Sequence, residues 1–183
     1  MAAHDKKLYE RDPDAWNAYL AEGNARQPRK RVAADVIVRD QDERLLLVNP
    51  NYKPDWDLPG GMAEANEPPI EAAARELREE LGLSVEIGVL LCVDWIPPHG
   101  PWDDTIVFVF DGGTLSSPEI DTLQITDDEL AAFRFCTRDE ASELLRPYVW
   151  QRAASALDAL QTGRPAYFHR DTAAASSGGS SAS

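Results

Sequence analysis

Residues 61–83 read Gly61-Met-Ala-Glu-Ala-Asn-Glu67-Pro-Pro-Ile70-Glu-Ala-Ala-Ala-Arg75-Glu76-Leu77-Arg-Glu79-Glu80-Leu81-Gly82-Leu83, and this stretch decides the fold. Pro68 and Pro69 suit the start of a helix, because proline fits the first turn and removes only donors that would lack partners there. Gly82 is a left-handed terminator after Leu81. Between them Ile70, Ala73, Ala74, Leu77 and Leu81 recur at helical spacing and form the expected apolar stripe. Glu76, Glu79 and Glu80 are related by i+3 and i+4 and share one side of the helix. That side is expected to face away from the stripe. Three like charges so close repel one another, and a divalent cation would offset them; Mg2+ favours carboxylate oxygens and commonly bridges them to phosphates. Arg75, four residues from both Glu71 and Glu79, would also suit an ordinary salt-bridged surface helix. That reading leaves the Gly60-Gly61 turn unexplained, where a backbone carbonyl is exposed and a ligand can approach closely.

Outward from this segment the pattern is mixed α and β. Residues up to Ala25 read as a helix with Trp16, Ala18, Tyr19 and Leu20 on a modest apolar face, and residues 26–31 as a basic linker. Val32–Val38 and Arg44–Val48 are strand-like around a polar turn at Asp40 to Glu43, the pattern of a hairpin. Residues 49–55 form a loop and 56–58 a short strand, after which Pro59-Gly60-Gly61 interrupts regular structure. Strands are expected at 84–93, 105–110 and 130–136, with a turn at Asp111-Gly112-Gly113. Helices are expected at 139–145 and 149–160. The domain organisation is therefore an N-terminal helix and linker (1–30), one α/β domain (31–165) and a tail (166–183) that turns to alanine, serine and glycine with nothing to bury.

With 183 residues and 43% hydrophobic content, the chain can bury one good core. No apolar run approaches the ~18 residues of a membrane span, and the N-terminus lacks the apolar stretch of a secretory signal, so cytoplasmic residence is expected. Cys92 and Cys136 sit in apolar runs and read as buried thiols. A net charge of −14 repels nucleic acid and anionic membranes, and neither is an expected partner. An anionic substrate would need bound cations.

The segment resembles the box of the Nudix hydrolases: Gly61, Glu67, Arg75, Glu76, Leu77, Glu79, Glu80, Gly82 and Leu83 all fit the pattern, and Leu58 to Gly61 supply its usual lead-in. The resemblance implies an α/β/α sandwich around a mixed β-sheet. It implies an Mg2+-dependent enzyme, with Mn2+ an alternative, that cuts a phosphoanhydride bond in a nucleoside diphosphate linked to another group. ADP-ribose, a nucleotide sugar or a modified nucleoside triphosphate would qualify. Glu76, Glu79 and Glu80 would hold the metal with the Gly60 or Gly61 carbonyl, and all three acids are counted as catalytic. Glu79 is the candidate base, with Asp128 or Glu129 as a later-loop alternative. Glu67 and Arg75 would orient the loop against the helix. Tyr52, Trp56, Trp95 and Trp102 flank the expected cleft and could stack on a base, and His99 could assist proton transfer. The resemblance also allows a homodimer. The rival readings are a nucleotide-binding module of the same fold without catalysis, and an isomerase acting on isoprenoid diphosphates.

Overall fold

The structure is a computed structural model that describes residues 6–169. It divides into two units, residues 1–30 and 31–183. In the first, α1 (Leu8–Arg11) is followed by α2 (Pro13–Ala25), where Pro13 occupies the first turn and the Asp12 carboxylate accepts the Ala15 N–H at 2.9 Å. Trp16 stacks on Tyr19 at 5.5 Å and meets the edge of Tyr9 at 6.1 Å. Neither helix contains a buried residue.

The second unit contains β1 (Arg31–Asp40), β2 (Leu45–Pro50), β3 (Gly60–Met62), α3 (Pro69–Leu81), β4 (Leu90–Ile96) and β5 (Thr105–Leu115). There follow α4 (Ser117–Ile120), β6 (Leu130–Cys136), α5 (Arg138–Leu144), α6 (Pro147–Thr162) and β7 (Ala166–His169). The strands form one seven-stranded mixed sheet in the order β6-β2-β1-β5-β4-β7, with β3 paired to β1. β1 and β5 run parallel, as do β4 and β7, and the other pairs are antiparallel. Both faces are covered. Ala34, Val36, Val38, Leu46 and Val48 pack against Ala73, Leu77 and Leu81 of α3. Ile37, Leu45, Leu47 and Val109 pack against Ala141 of α5 and Ala153, Ala156 and Leu157 of α6. The alternation of β1 between the two layers explains its nearly continuous burial. The result is the expected α/β/α sandwich.

The helix α3 begins after Pro68 and ends at Gly82, with φ +64, as the sequence indicates. Several expectations need correction. The buried face of α3 is Ala72, Ala73, Leu77, Glu80 and Leu81, while Ile70 is exposed, so the acids do not face away from the core: Glu80 lies within it. Gly60-Gly61 does not break the sheet but enters it as β3, paired with Asp35 and Ala34. Residues 84–89 form no strand, and β4 begins only at Leu90. Asp111-Gly112-Gly113 continues β5, through an irregularity in its pairing with β1, rather than turning the chain. The residues assigned to the tail from 166 begin with a strand, β7, which adds an outer strand beside β4. The Ala/Ser/Gly stretch beyond lies outside the described residues. Cys92 and Cys136 are buried free thiols. Among the described residues no helix is long and apolar enough to cross a membrane.

One topological feature positions the site. β1 pairs with β2 at Arg39 and Leu45, next to the hairpin turn, and the two strands then diverge. The segment from Asp57 to Met62 enters the gap. Asp57 bridges to Val48 of β2, the Pro59 carbonyl accepts the Val36 N–H at 2.9 Å, and β3 pairs with β1. This wedge leaves a cleft at the end of the sheet.

Candidate active site

The cleft is a cavity of about 160 Å³ lined by Asp35, Tyr52, Asp57, Gly60, Gly61 and Glu80, among others. Its floor depends on two glycines with different reasons to be glycine. Gly60 has φ +137, and a Cβ there would lie 2.2 Å from the Ala34 carbonyl oxygen. Only glycine allows β3 to lie this close to β1. A Cβ on Gly61 would lie 2.5 Å from Glu76 Oε1. The small residue therefore makes room for a carboxylate.

The last two turns of α3 bring the acids to this floor. Glu80 is buried, and its Oε2 accepts the Gly60 N–H at 3.1 Å. Desolvation pushes its carboxyl up to about 8, against the opposing pull of that hydrogen bond; the Glu76, Asp35 and Asp127 charges push the same way as burial. Glu76 is also raised, chiefly by desolvation, although Arg75 opposes the shift. Glu79 is half-exposed beside them. The loop after α4 fastens this end of the helix: Thr126 N–H donates to the Glu80 carbonyl at 3.1 Å and Gln124 N–H to that of Leu81 at 3.2 Å.

Arg75 is the hub of the box. Its Nε and Nη2 donate to the two Glu67 oxygens at 2.9 and 3.0 Å, a bidentate fork, and Nη2 also reaches the Met62 carbonyl at 3.1 Å. The fork holds Glu67 below the usual carboxylate range, helped by the Glu64 N–H. Loop and helix are thus tied together. The Nη1 atom lies 3.0 Å from both Glu76 Oε1 and Glu79 Oε2. Among the described residues no three His, Cys, Asp or Glu side chains gather into one metal-holding group. Arg75 instead neutralises two of the three acids.

The aromatic candidates separate. Tyr52 lines the cleft and is largely exposed, with Lys53 Nζ 5.6 Å from its ring centre. Trp56 and His99 line a second cavity of about 200 Å³ that adjoins the first through Ala33, Asp35, Asp57 and Met62. Trp95 lines neither; its Nε1 donates to Asp104 at 2.9 Å. Trp102 stacks under Arg31. Asp128 and Glu129 are anchored through their carbonyls, which accept the Asn51 side-chain and backbone N–H at 2.7 Å. The charge of Asp127 in the same loop acts on Glu80.

Sequence reading missed Asp35 and Arg152. Arg152 of α6 is buried, donating through Nη1 to Asp35 on β1 and through Nε to Asp94 on β4 at 3.2 Å. Asp35 lines both cavities, and desolvation raises it to about 6, with Asp57 adding to the shift and Arg152 opposing it. An acid inside the β1 apolar run was the available signal, since such a residue needs a buried partner.

Comparison with known proteins agrees with this fold. A MutT-like protein of Streptomyces ambofaciens is 33% identical over 129 residues, covering 68% of this chain and 75% of that protein. An ADP-ribose pyrophosphatase of Methanocaldococcus jannaschii is 38% identical over 93 residues, covering 47% of this chain and 54% of that protein. Thus this chain spans about half the length of the second relative. In fold, the crystal structure of a UDP-X diphosphatase superposes with a TM-score of 0.63 at 20% identity, over 85% of this chain and 74% of that one. Residues 29–160 match the NUDIX domain, and the chain belongs to that family as a Nudix hydrolase.

Proposed function

We propose that the chain hydrolyses a phosphoanhydride bond in a nucleoside diphosphate linked to another group, with a divalent cation, Mg2+ or alternatively Mn2+, as cofactor. One observation carries this reading: Glu80 is a buried carboxylate held by a single backbone donor, the Gly60 N–H, beside a glycine floor that makes room for Glu76. Burial without charge compensation costs free energy, and a hard cation would supply the compensation. Glu76, Glu79, Glu80 and the Gly61 carbonyl would form an all-oxygen donor set that suits it once Glu76 and Glu79 turn from Arg75. When bound, the cation neutralises the diphosphate and polarises the attacking water.

The chain's own residues do the rest. Gly60 N–H orients the Glu80 carboxylate. Glu79, the most exposed of the three acids, is the candidate for accepting the proton of the attacking water. Arg75 retains Glu67 and the Met62 carbonyl as partners when Glu76 and Glu79 turn to the cation. Glu67 and Arg75 are positioning residues in this scheme. The ADP-ribose pyrophosphatase among the relatives supports a nucleotide-like diphosphate as the substrate class.

The test is Mg2+-dependent turnover of ADP-ribose, nucleotide sugars, ordinary and oxidised nucleoside triphosphates and dinucleoside polyphosphates. Glu79→Gln and Glu80→Gln serve as controls. We expect one class to be cleaved well above the rest. Glu80→Gln should lose at least as much kcat as Glu79→Gln, for which general-base loss alone is roughly 10²–10⁴-fold. Tight binding of a nucleotide without turnover would instead identify a binding module.

A further inference from the structure

The cavity adjoining the cleft is lined by four cationic side chains, Arg31, Lys53, Arg146 and Arg152, in a chain of net charge −14. Three of them are matched by carboxylates: Lys53 by Asp57, Arg146 by Asp55, and Arg152 by Asp35 and Asp94. Arg31 is different. Its guanidinium lies 4.6 Å from the Trp102 ring centre, and its two hydrogen bonds are weak ones, to Thr105 Oγ1 at 3.4 Å and Met62 Sδ at 3.5 Å. Among the described residues it has no carboxylate partner.

We propose that this second cavity is an anion subsite with Arg31 as its specificity-determining residue, so that the preferred substrate carries a phosphate monoester apart from the diphosphate that is cut. This inference rests on the hydrolase reading above and names its substrate class more closely. Stacking on Trp102 holds the planar fork in place before the ligand arrives, so little side-chain entropy is lost on binding. Its N–H groups then exchange poor acceptors for phosphate oxygens, which accept charge-assisted hydrogen bonds. A monoester carries close to two negative charges at neutral pH, and Arg31 is the cation to meet them, since Lys53 and Arg146 of the same cavity are matched by Asp57 and Asp55. The two cavities share Ala33, Asp35, Asp57 and Met62, so one ligand can reach both.

The test uses probes that differ by one phosphate: ADP-ribose against its 2′-phosphate, and the reduced nicotinamide dinucleotide with and without a 2′-phosphate. Turnover is measured with Mg2+, and binding by calorimetry with Ca2+. The chain should favour the phosphorylated member of a pair by about tenfold or more, mainly through KM. Arg31→Gln should remove that preference by weakening the phosphorylated member alone. Trp102→Leu, on the exposed surface, should reduce it in part. Equal use of both members, or equal loss on both in Arg31→Gln, overturns the proposal. If no probe is turned over, the hydrolase reading fails for these substrates, while the Ca2+ binding ratio still decides for or against the subsite.

Discussion

A Cβ on Gly60 would collide with backbone, the Ala34 carbonyl at 2.2 Å and Asp35 Cα at 2.8 Å, whereas one on Gly61 would meet only the flexible end of Glu76. The adjacent residues therefore predict opposite phenotypes. Gly60→Ala must push β3 off β1 and abandon a φ of +137 that L side chains rarely adopt. We expect it to destabilise the fold by more than about 2 kcal/mol, visible as a lower thermal midpoint. Gly61→Ala needs only Glu76 to swing aside. It should leave the stability within about 1 kcal/mol of wild type while cutting kcat roughly tenfold or more through displacement of Glu76, a proposed metal ligand. Comparable unfolding midpoints for the two variants would contradict this division.

Arg152 joins α6 to β1 and β4 through Asp35 and Asp94, at a depth where the guanidinium is nearly inaccessible. Arg152→Met would take the guanidinium from the buried Asp35 and Asp94, and we expect a loss of about 3–5 kcal/mol in urea unfolding. The same network predicts a pH effect. Asp35 is raised from 3.8 to about 6, mainly by desolvation, so the folded state holds its proton more tightly than the unfolded state. Its contribution to stability is full below the unfolded value and is lost as pH rises through 6. Asp35→Asn removes that loss, so the variant should gain on wild type between pH 4 and 6.5; a constant gap would refute the assignment. This element also marks where sequence reading ends. The limits of α3 were legible because proline and glycine act locally, and the box because its spacing is fixed by one helix. The burial of Glu80 was not, since periodicity assigns acids to water and cannot see the Gly60 N–H that β3 brings to it. Residues 166–169 gave no local signal either: four residues become β7 only because β4 offers an edge to pair with. Likewise Gly60-Gly61 reads as a break until β1 is placed against it.

Across the whole molecule, a charge of −14 sets the terms on which an anionic substrate is bound. The field disfavours the proposed diphosphate at long range, so its affinity would come from short-range cations, those of the protein and the proposed metal. Many surface acids will also collect divalent ions weakly, and a metal titration alone would not separate them from the box. Glu80→Gln does. It removes one carboxylate whose acid is held up near 8 by burial, and glutamine keeps an acceptor for the Gly60 N–H, so the metal-free variant should fold like wild type. A ligand that binds only the native state stabilises it by about 2.7 kcal/mol at 100 times its Kd. For a chain of this size that is a rise of roughly 5–10 °C in thermal midpoint. We expect Mg2+ to give a saturable rise in the wild type, and Glu80→Gln to retain only the small, non-saturating rise of general screening. Equal rises in both proteins would place the cation elsewhere on the acidic surface and remove Glu80 from the metal site.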